Sequence, residues 1–72
     1  MRDVQIRGEM IRLGQLLKLS GIADSGGEAR ELLLAERVTV NGDAEQRRGR
    51  QLHDGDLVEV GEDAVRIVAT AS

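Results

Sequence analysis

The sequence predicts an α+β fold in which two packed helices lie against a small, mostly antiparallel sheet. Three observations predict it. Leu13, Leu16 and Leu17, and again Ala29, Leu32 and Leu33, recur at helical spacing and mark two consecutive amphipathic helices. Apolar residues alternate at Val4 and Ile6 and at Val38 and Val40, the signature of half-buried strands. Asn41-Gly42 is a strong hairpin signal, because both positions of a two-residue turn then tolerate positive φ.

In order, residues 2 to 7 read as a strand ended by Gly8. Ile11 to Ser20 read as helix one, closed by Gly21 with Ile22 beyond it. Ser25-Gly26-Gly27-Glu28 has the spacing of a capping box, with Ser25 accepting from the Glu28 amide and Glu28 reaching back. Helix two then runs to about Ala35. Val38 to Val40 form a strand, Asn41-Gly42 its turn, and Ala44 to about Gln46 the return strand. His53 to Asp56 read as a turn, Leu57 to Val60 as a strand, Gly61 to Asp63 as a turn and Val65 to Val68 as the last strand. The order is β-α-α-β-β-β-β, with Ala69 to Ser72 expected to fray.

The 72 residues amount to one small domain, and a domain of this size buries only roughly 60% of the surface its unfolded chain exposes. The core must be built from Leu, Ile, Val and Ala, since Phe, Tyr, Trp and Cys are all absent. Without cysteine there is neither a disulfide nor a thiolate metal site, and the single His53 cannot build a zinc site. No apolar run is long enough to span a bilayer and no signal-peptide pattern opens the chain, so a soluble cytoplasmic protein is expected.

Net charge is -3, but it is unevenly spread. Residues 1 to 50 carry nine Lys/Arg against eight Asp/Glu, whereas residues 51 to 72 carry one against five. Within this acidic chain Arg47, Arg48 and Arg50 crowd into four positions after the Asn-Gly turn. Such a cluster repels itself, which points to an external anion, and the planar fork of Arg suits bidentate contact with phosphate. The alternative, pairing with the acidic last third at the surface, is worth only about 0 to 1 kcal/mol and is a weak reason for three arginines. With no aromatic platform for stacking bases, the expected ligand is a structured RNA read by shape and phosphate.

Arg12-Leu13, Gly21, Ser25 through Ala29, Val38-Thr39-Val40-Asn41-Gly42, Leu52 and Gly55-Asp56 together resemble the alpha-L RNA-binding domain, named after ribosomal small-subunit protein S-four. The likeness covers roughly residues 10 to 60, and the 15 to 18 and 47 to 50 segments look most like small stand-alone bacterial members. The resemblance implies a helix pair on a small sheet, with RNA held by helix ends and by the loop after the hairpin. The sequence also departs from the family pattern. Gly14 stands where many members carry Asp, and Gly26 where many carry a basic residue. Glu36 stands where helix two usually ends in Gly, so it must adopt a left-handed conformation or the helix must end differently.

The expected RNA-binding residues are Arg12, Lys18, Gly26, Gly27, Arg30, Arg37, Arg47, Arg48 and Arg50. Arg12 sits where the helix dipole disfavours a cation, which invites a ligand. Lys18 is already favoured by the dipole at the other end of helix one. Arg30 and Arg37, seven apart, would share a helical face. Gly26-Gly27 leaves the first amides of helix two open to phosphate.

His53, Asp54 and Asp56 read as a turn and not as an acid-base or metal group, and no catalytic constellation is present. The chain is therefore expected to be a non-catalytic, monomeric binder of structured RNA, ribosomal or transfer, with the ribosome as a candidate platform and with no cofactor, metal, membrane or small-molecule substrate. The rival reading is a protein-interaction adaptor that uses Asp54, Asp56, Glu59, Glu62 and Asp63. An enzyme is the remotest reading, for want of a deep apolar cleft that shields a reaction from water.

Overall fold

The structure, a computed structural model, describes residues 1–70. Its strands and helices are β1 (Arg2–Arg7), β2 (Ile11–Arg12), α1 (Leu13–Leu19), α2 (Gly26–Leu34), β3 (Val38–Val40), β4 (Asp43–Ala44), β5 (Gln51–Leu52), β6 (Leu57–Val60) and β7 (Asp63–Thr70). The main sheet has the strand order β1-β7-β6-β3-β4, and all of its pairs are antiparallel except the parallel β1–β7 edge. A second, two-stranded ladder joins β2 to β5.

Period-two alternation sets the sheet's inner face. Ile6, Val38, Val40, Val58, Val60, Val65 and Ile67 point inward and are buried, with Val4 partly covered. Leu13, Leu16 and Leu17 of α1 and Ala29 and Leu33 of α2 close over that face, joined by Ala23 and Leu52. The result is an aliphatic core in which each fully buried Leu contributes roughly 1.5–3 kcal/mol.

Turn chemistry fixes the register. Asn41 and Gly42 have φ of 52° and 89°, and Val40 pairs directly with Asp43, the geometry of a two-residue primed turn. Ser25, in extended conformation, caps α2 by accepting from the Glu28 amide at 3.1 Å. The reverse bond expected from Glu28 is not formed among the described residues, so only half of the capping box exists.

Glu36 takes the left-handed route, with φ of 58°. Its amide donates to the Leu33 carbonyl and the Arg37 amide to the Leu32 carbonyl, the paired bonds of a Schellman ending normally built on Gly. A left-handed non-Gly residue costs roughly 1–2 kcal/mol. Part of that is offset where the Glu36 carboxylate accepts from the Gln46 side-chain Nε2 at 3.1 Å, tying the helix end to the chain beyond the hairpin.

Several sequence expectations need correction. Helix one is shorter than 11–20, because residues 11 and 12 are drawn into the ladder with β5. The return strand is Asp43–Ala44 and not 44–46: Glu45 keeps one bond to β3, from its amide to the Val38 carbonyl, and its side chain is buried where the chain bends away. Arg37 shares no helical face with Arg30, because the chain reverses at Glu36. The last strand starts at Asp63 and continues past Val68, so Ala69 and Thr70 are not frayed but paired with Ile6 and Arg7. The remaining positions of that expectation, 71 and 72, lie outside the described residues.

Candidate nucleic-acid interface

The arginine segment is a loop between β4 and β5, and its backbone is tied to the start of α1. The first amides of a helix have no partner within it. Here the Leu13 amide donates to the Arg50 carbonyl at 2.8 Å and the Gly14 amide to the Arg48 carbonyl at 2.9 Å. The Arg12 guanidinium adds a bond to the Gly49 carbonyl at 3.2 Å, while the Gln15 side-chain oxygen accepts from the Arg12 amide. This close approach accounts for Gly14: a Cβ there would lie 3.1 Å from the Arg48 Cβ, so a side chain would press the loop away from the helix.

Glu45 organises the loop from inside. It is 93% buried as a residue, its exposure being 7%, and its carboxylate accepts from the amides of Gln46 and Arg47. The Arg47 guanidinium forks onto both oxygens at 3.1 and 3.2 Å, and Arg50 adds a bond at 3.0 Å. Bonds from Arg47, then Arg50, outweigh the cost of burial and hold the Glu45 pKa down at about 2. The same pairing raises the Arg47 pKa. Glu45 was not among the expected site residues, although an acid two places before Arg47 and five before Arg50 was a visible signal. Thus two of the three clustered arginines have a carboxylate partner, and it is a neighbour in sequence, not the acidic last third.

Because Glu45 is held ionised in the fold and titrates near 4.5 when unfolded, the stability it confers is complete above that range and is lost as pH falls through about 2. Glu45→Gln should therefore be less stable than the wild type at pH 6, and the gap should close between about pH 4.5 and 2. Urea midpoints at several pH values check this; a gap independent of pH would exclude the carboxylate as its cause.

Three hollows around the loop gather most of the expected residues. A groove of about 270 Å³ is lined by Arg12, Gly14, Gln15, Lys18, Gly26, Ala29, Arg48 and Gly49, so cations from α1's start, α1's end and the loop converge beside the start of α2. Arg48 also lines a second hollow with Arg30, Leu33, Leu34 and Gln46. Arg47 and Arg50 line a third with Gly49, Gln51 and His53. None of the three is lined by a carboxylate. Arg12, Lys18, Arg30 and Arg48 thus form one strip, with Arg48 at the junction of two hollows. Gly26 borders the groove with open space where a Cβ would stand, whereas Gly27 lies against the Ser25 hydroxyl. Arg37 is exposed and lines none of these hollows.

The residues that carried the resemblance most strongly turn out to hold one another. The Asn41 amide donates to the Asp56 carboxylate at 3.0 Å, and its oxygen accepts from the Leu57 amide at 2.9 Å. The other Asp56 oxygen accepts from the His53 amide. Burial disfavours this carboxylate, but the bonds from Asn41 and His53 prevail and lower its pKa. Asp54 accepts from the Ala69 amide. Asp56 therefore closes the turn expected at 53–56, and Asp54 fastens that turn to β7.

The comparisons with known proteins follow the same architecture. The family model described as S4 domain matches residues 4–68. The chain belongs to the S4 domain family. Within it, a relative from Bacillus subtilis (strain 168) named probable ribosome maturation protein RlbA is 47% identical over 57 residues, covering 79% of this chain and 80% of that protein. Among solved structures, the 30S ribosomal protein S4e of Thermoplasma acidophilum superposes with a TM-score of 0.62 at 22% identity. That match covers 82% of this chain but 31% of that protein, a likeness of fold to one part of a longer chain. Among the described residues, no helix of this S4 domain is long and apolar enough to cross a membrane.

Proposed function

We propose that this S4 domain is a non-catalytic RNA-binding protein that works on the ribosome or its precursors, using the strip from Arg30 through Arg48 to Arg12 and Lys18 as a phosphate track. The observation that carries the proposal is the groove in which Arg12 and Lys18, from the two ends of α1, meet Arg48 of the distant arginine loop with no lining carboxylate. Like charges held together cost folding free energy that an RNA backbone would return. The Gly26 and Gly27 amides, which take no hydrogen bond within the described residues, add donors at the positive end of α2. Arg47 and Arg50, sharing Glu45, would add one net positive charge at the flank of the track. Arg37, beyond the helix end, is left as a peripheral contact. The ribosome-related names of the relative and of the structural neighbour favour ribosomal RNA over transfer RNA as the ligand, and with it a cytoplasmic place of work.

Specificity in such a surface comes from the spacing of cations and helix-end amides, with no aromatic stacking. Binding to ribosomal RNA fragments across a salt series tests the proposal. Neutralising four to six phosphates predicts a log–log slope of roughly -3 to -5. A flat salt profile, or no binding at low salt, would reject it. The adaptor reading loses ground because Asp54 and Asp56 are already engaged inside the fold, Asp54 by the Ala69 amide of β7 and Asp56 by Asn41 and the His53 amide.

A further inference from the structure

We infer that the free edge of β1 pairs with the β1 edge of a second copy of this chain, joining two main sheets across a two-fold axis at Gln5. β1 is the terminal strand of the main sheet, bonded on one side to β7. The Thr70 hydroxyl donates to the Ile6 carbonyl at 2.9 Å, so that carbonyl faces β7. Since backbone groups alternate in direction along an extended strand, those of Asp3, Gln5 and Arg7 face the open side. Such an edge is a template for another strand.

Two-fold antiparallel pairing requires outward-facing residues opposite outward-facing residues. With the axis at Gln5, Asp3 of each copy faces Arg7 of the other, and Val4 faces Ile6. The pattern Asp3-x-Gln5-x-Arg7 is thus charge-complementary to itself when reversed. Shifting the axis to Val4 sets Arg2 against Ile6, and shifting it to Ile6 sets Gln5 against Arg7, so each neighbouring register loses the complementarity.

Apolar surface beside the edge supports the same occupant. Gln5, Ile6, Arg7, Met10, Ile11, Gln15 and Leu19 line an open hollow next to β1, in which Met10 is 38% and Leu19 57% exposed. A second β1 would bring its Val4 and Ile6 to the inner face, where this hollow lies. The surface meets the basic groove only at Gln15 and contains none of Arg12, Lys18 or Arg48, so each copy would keep its phosphate track. The sequence alone led us to expect a monomer; the edge argues for a dimer.

Sedimentation of the full chain from about 10 µM to about 1 mM tests this, with circular dichroism confirming that each variant is folded. The wild type should dimerise. Arg7→Asp, which sets Asp against Asp twice, should raise the dimer dissociation constant about tenfold or more. The charge swap Asp3→Arg with Arg7→Asp should restore it. A monomeric wild type throughout would overturn the inference and leave the edge to an extended segment of another protein. A dimer indifferent to Arg7→Asp, or a swap that fails to recover it, would also overturn it.

Discussion

Arg48→Glu is expected to weaken binding to ribosomal RNA fragments about thirtyfold while leaving the fold intact. Arg48 is exposed and contributes its side chain to both the Arg12–Lys18 groove and the Arg30 hollow, so reversal interrupts the proposed track at its middle. Loss of one charge-assisted contact is worth about 2 kcal/mol, and every 1.4 kcal/mol is tenfold in affinity. The structural duty at this position belongs to the Arg48 carbonyl, which accepts from Gly14 and survives the substitution. Stability should therefore move by no more than about 0.5 kcal/mol. The salt slope should also shrink in magnitude by about one, since one fewer phosphate is neutralised. Equal affinity for wild type and variant would remove Arg48 from the interface.

Leu52→Ala is expected to have the largest effect on folding. Leu52 is fully buried, pairs with Ile11 in the small ladder and anchors the far end of the arginine loop. Truncating a buried Leu costs about 2–5 kcal/mol. A domain of this length holds in total roughly 4–11 kcal/mol, so the variant should be marginally folded or unfolded near 37 °C. Chemical denaturation followed by circular dichroism checks it. Because Leu52 closes the loop that carries Arg47, Arg48 and Arg50, RNA affinity should fall together with stability. That coupling separates it from Arg48→Glu, where affinity falls alone.

The parts that could be read in the sequence are those governed by local rules. The leucine spacing of both helices, the Ser25 cap, the Asn41-Gly42 turn and the 53–56 turn each depend on residues close in the chain, and each forms. What escaped depends on distant partners. A two-residue strand such as β2 has no periodicity, and it exists because β5 and the loop carbonyls satisfy the start of α1. The parallel β1–β7 pairing joins the two ends of the described chain, where no turn residue announces it. Glu45 was legible only as part of a strand, and its burial follows from two arginines that arrive after the chain bends.

The same division runs through the candidate site. Arg12, Lys18, Gly26 and Arg48 were each recognisable as cations or open amides, but their meeting in one groove needed the loop to be fastened to α1. Arg47 and Arg50 were expected to face a ligand alone, and instead share Glu45. Arg37 was placed by a helical period that stops at Glu36. Family resemblance supplied the most informative position of all: it marked Glu36 as a fork between strain and a different helix end, and the chain accepts the strain.

The claim on which everything rests is that one face, the groove between α1, the start of α2 and the arginine loop, receives RNA. Backbone amide shifts recorded by nuclear magnetic resonance during titration with a ribosomal RNA fragment test it most directly. The amides of Arg12, Lys18, Gly26, Ala29, Arg48 and Gly49 should move first and furthest, while those of Thr39, Glu59 and Ala64, in the middle of the main sheet, stay in place. Shifts concentrated on the sheet, with the groove unmoved, would contradict it.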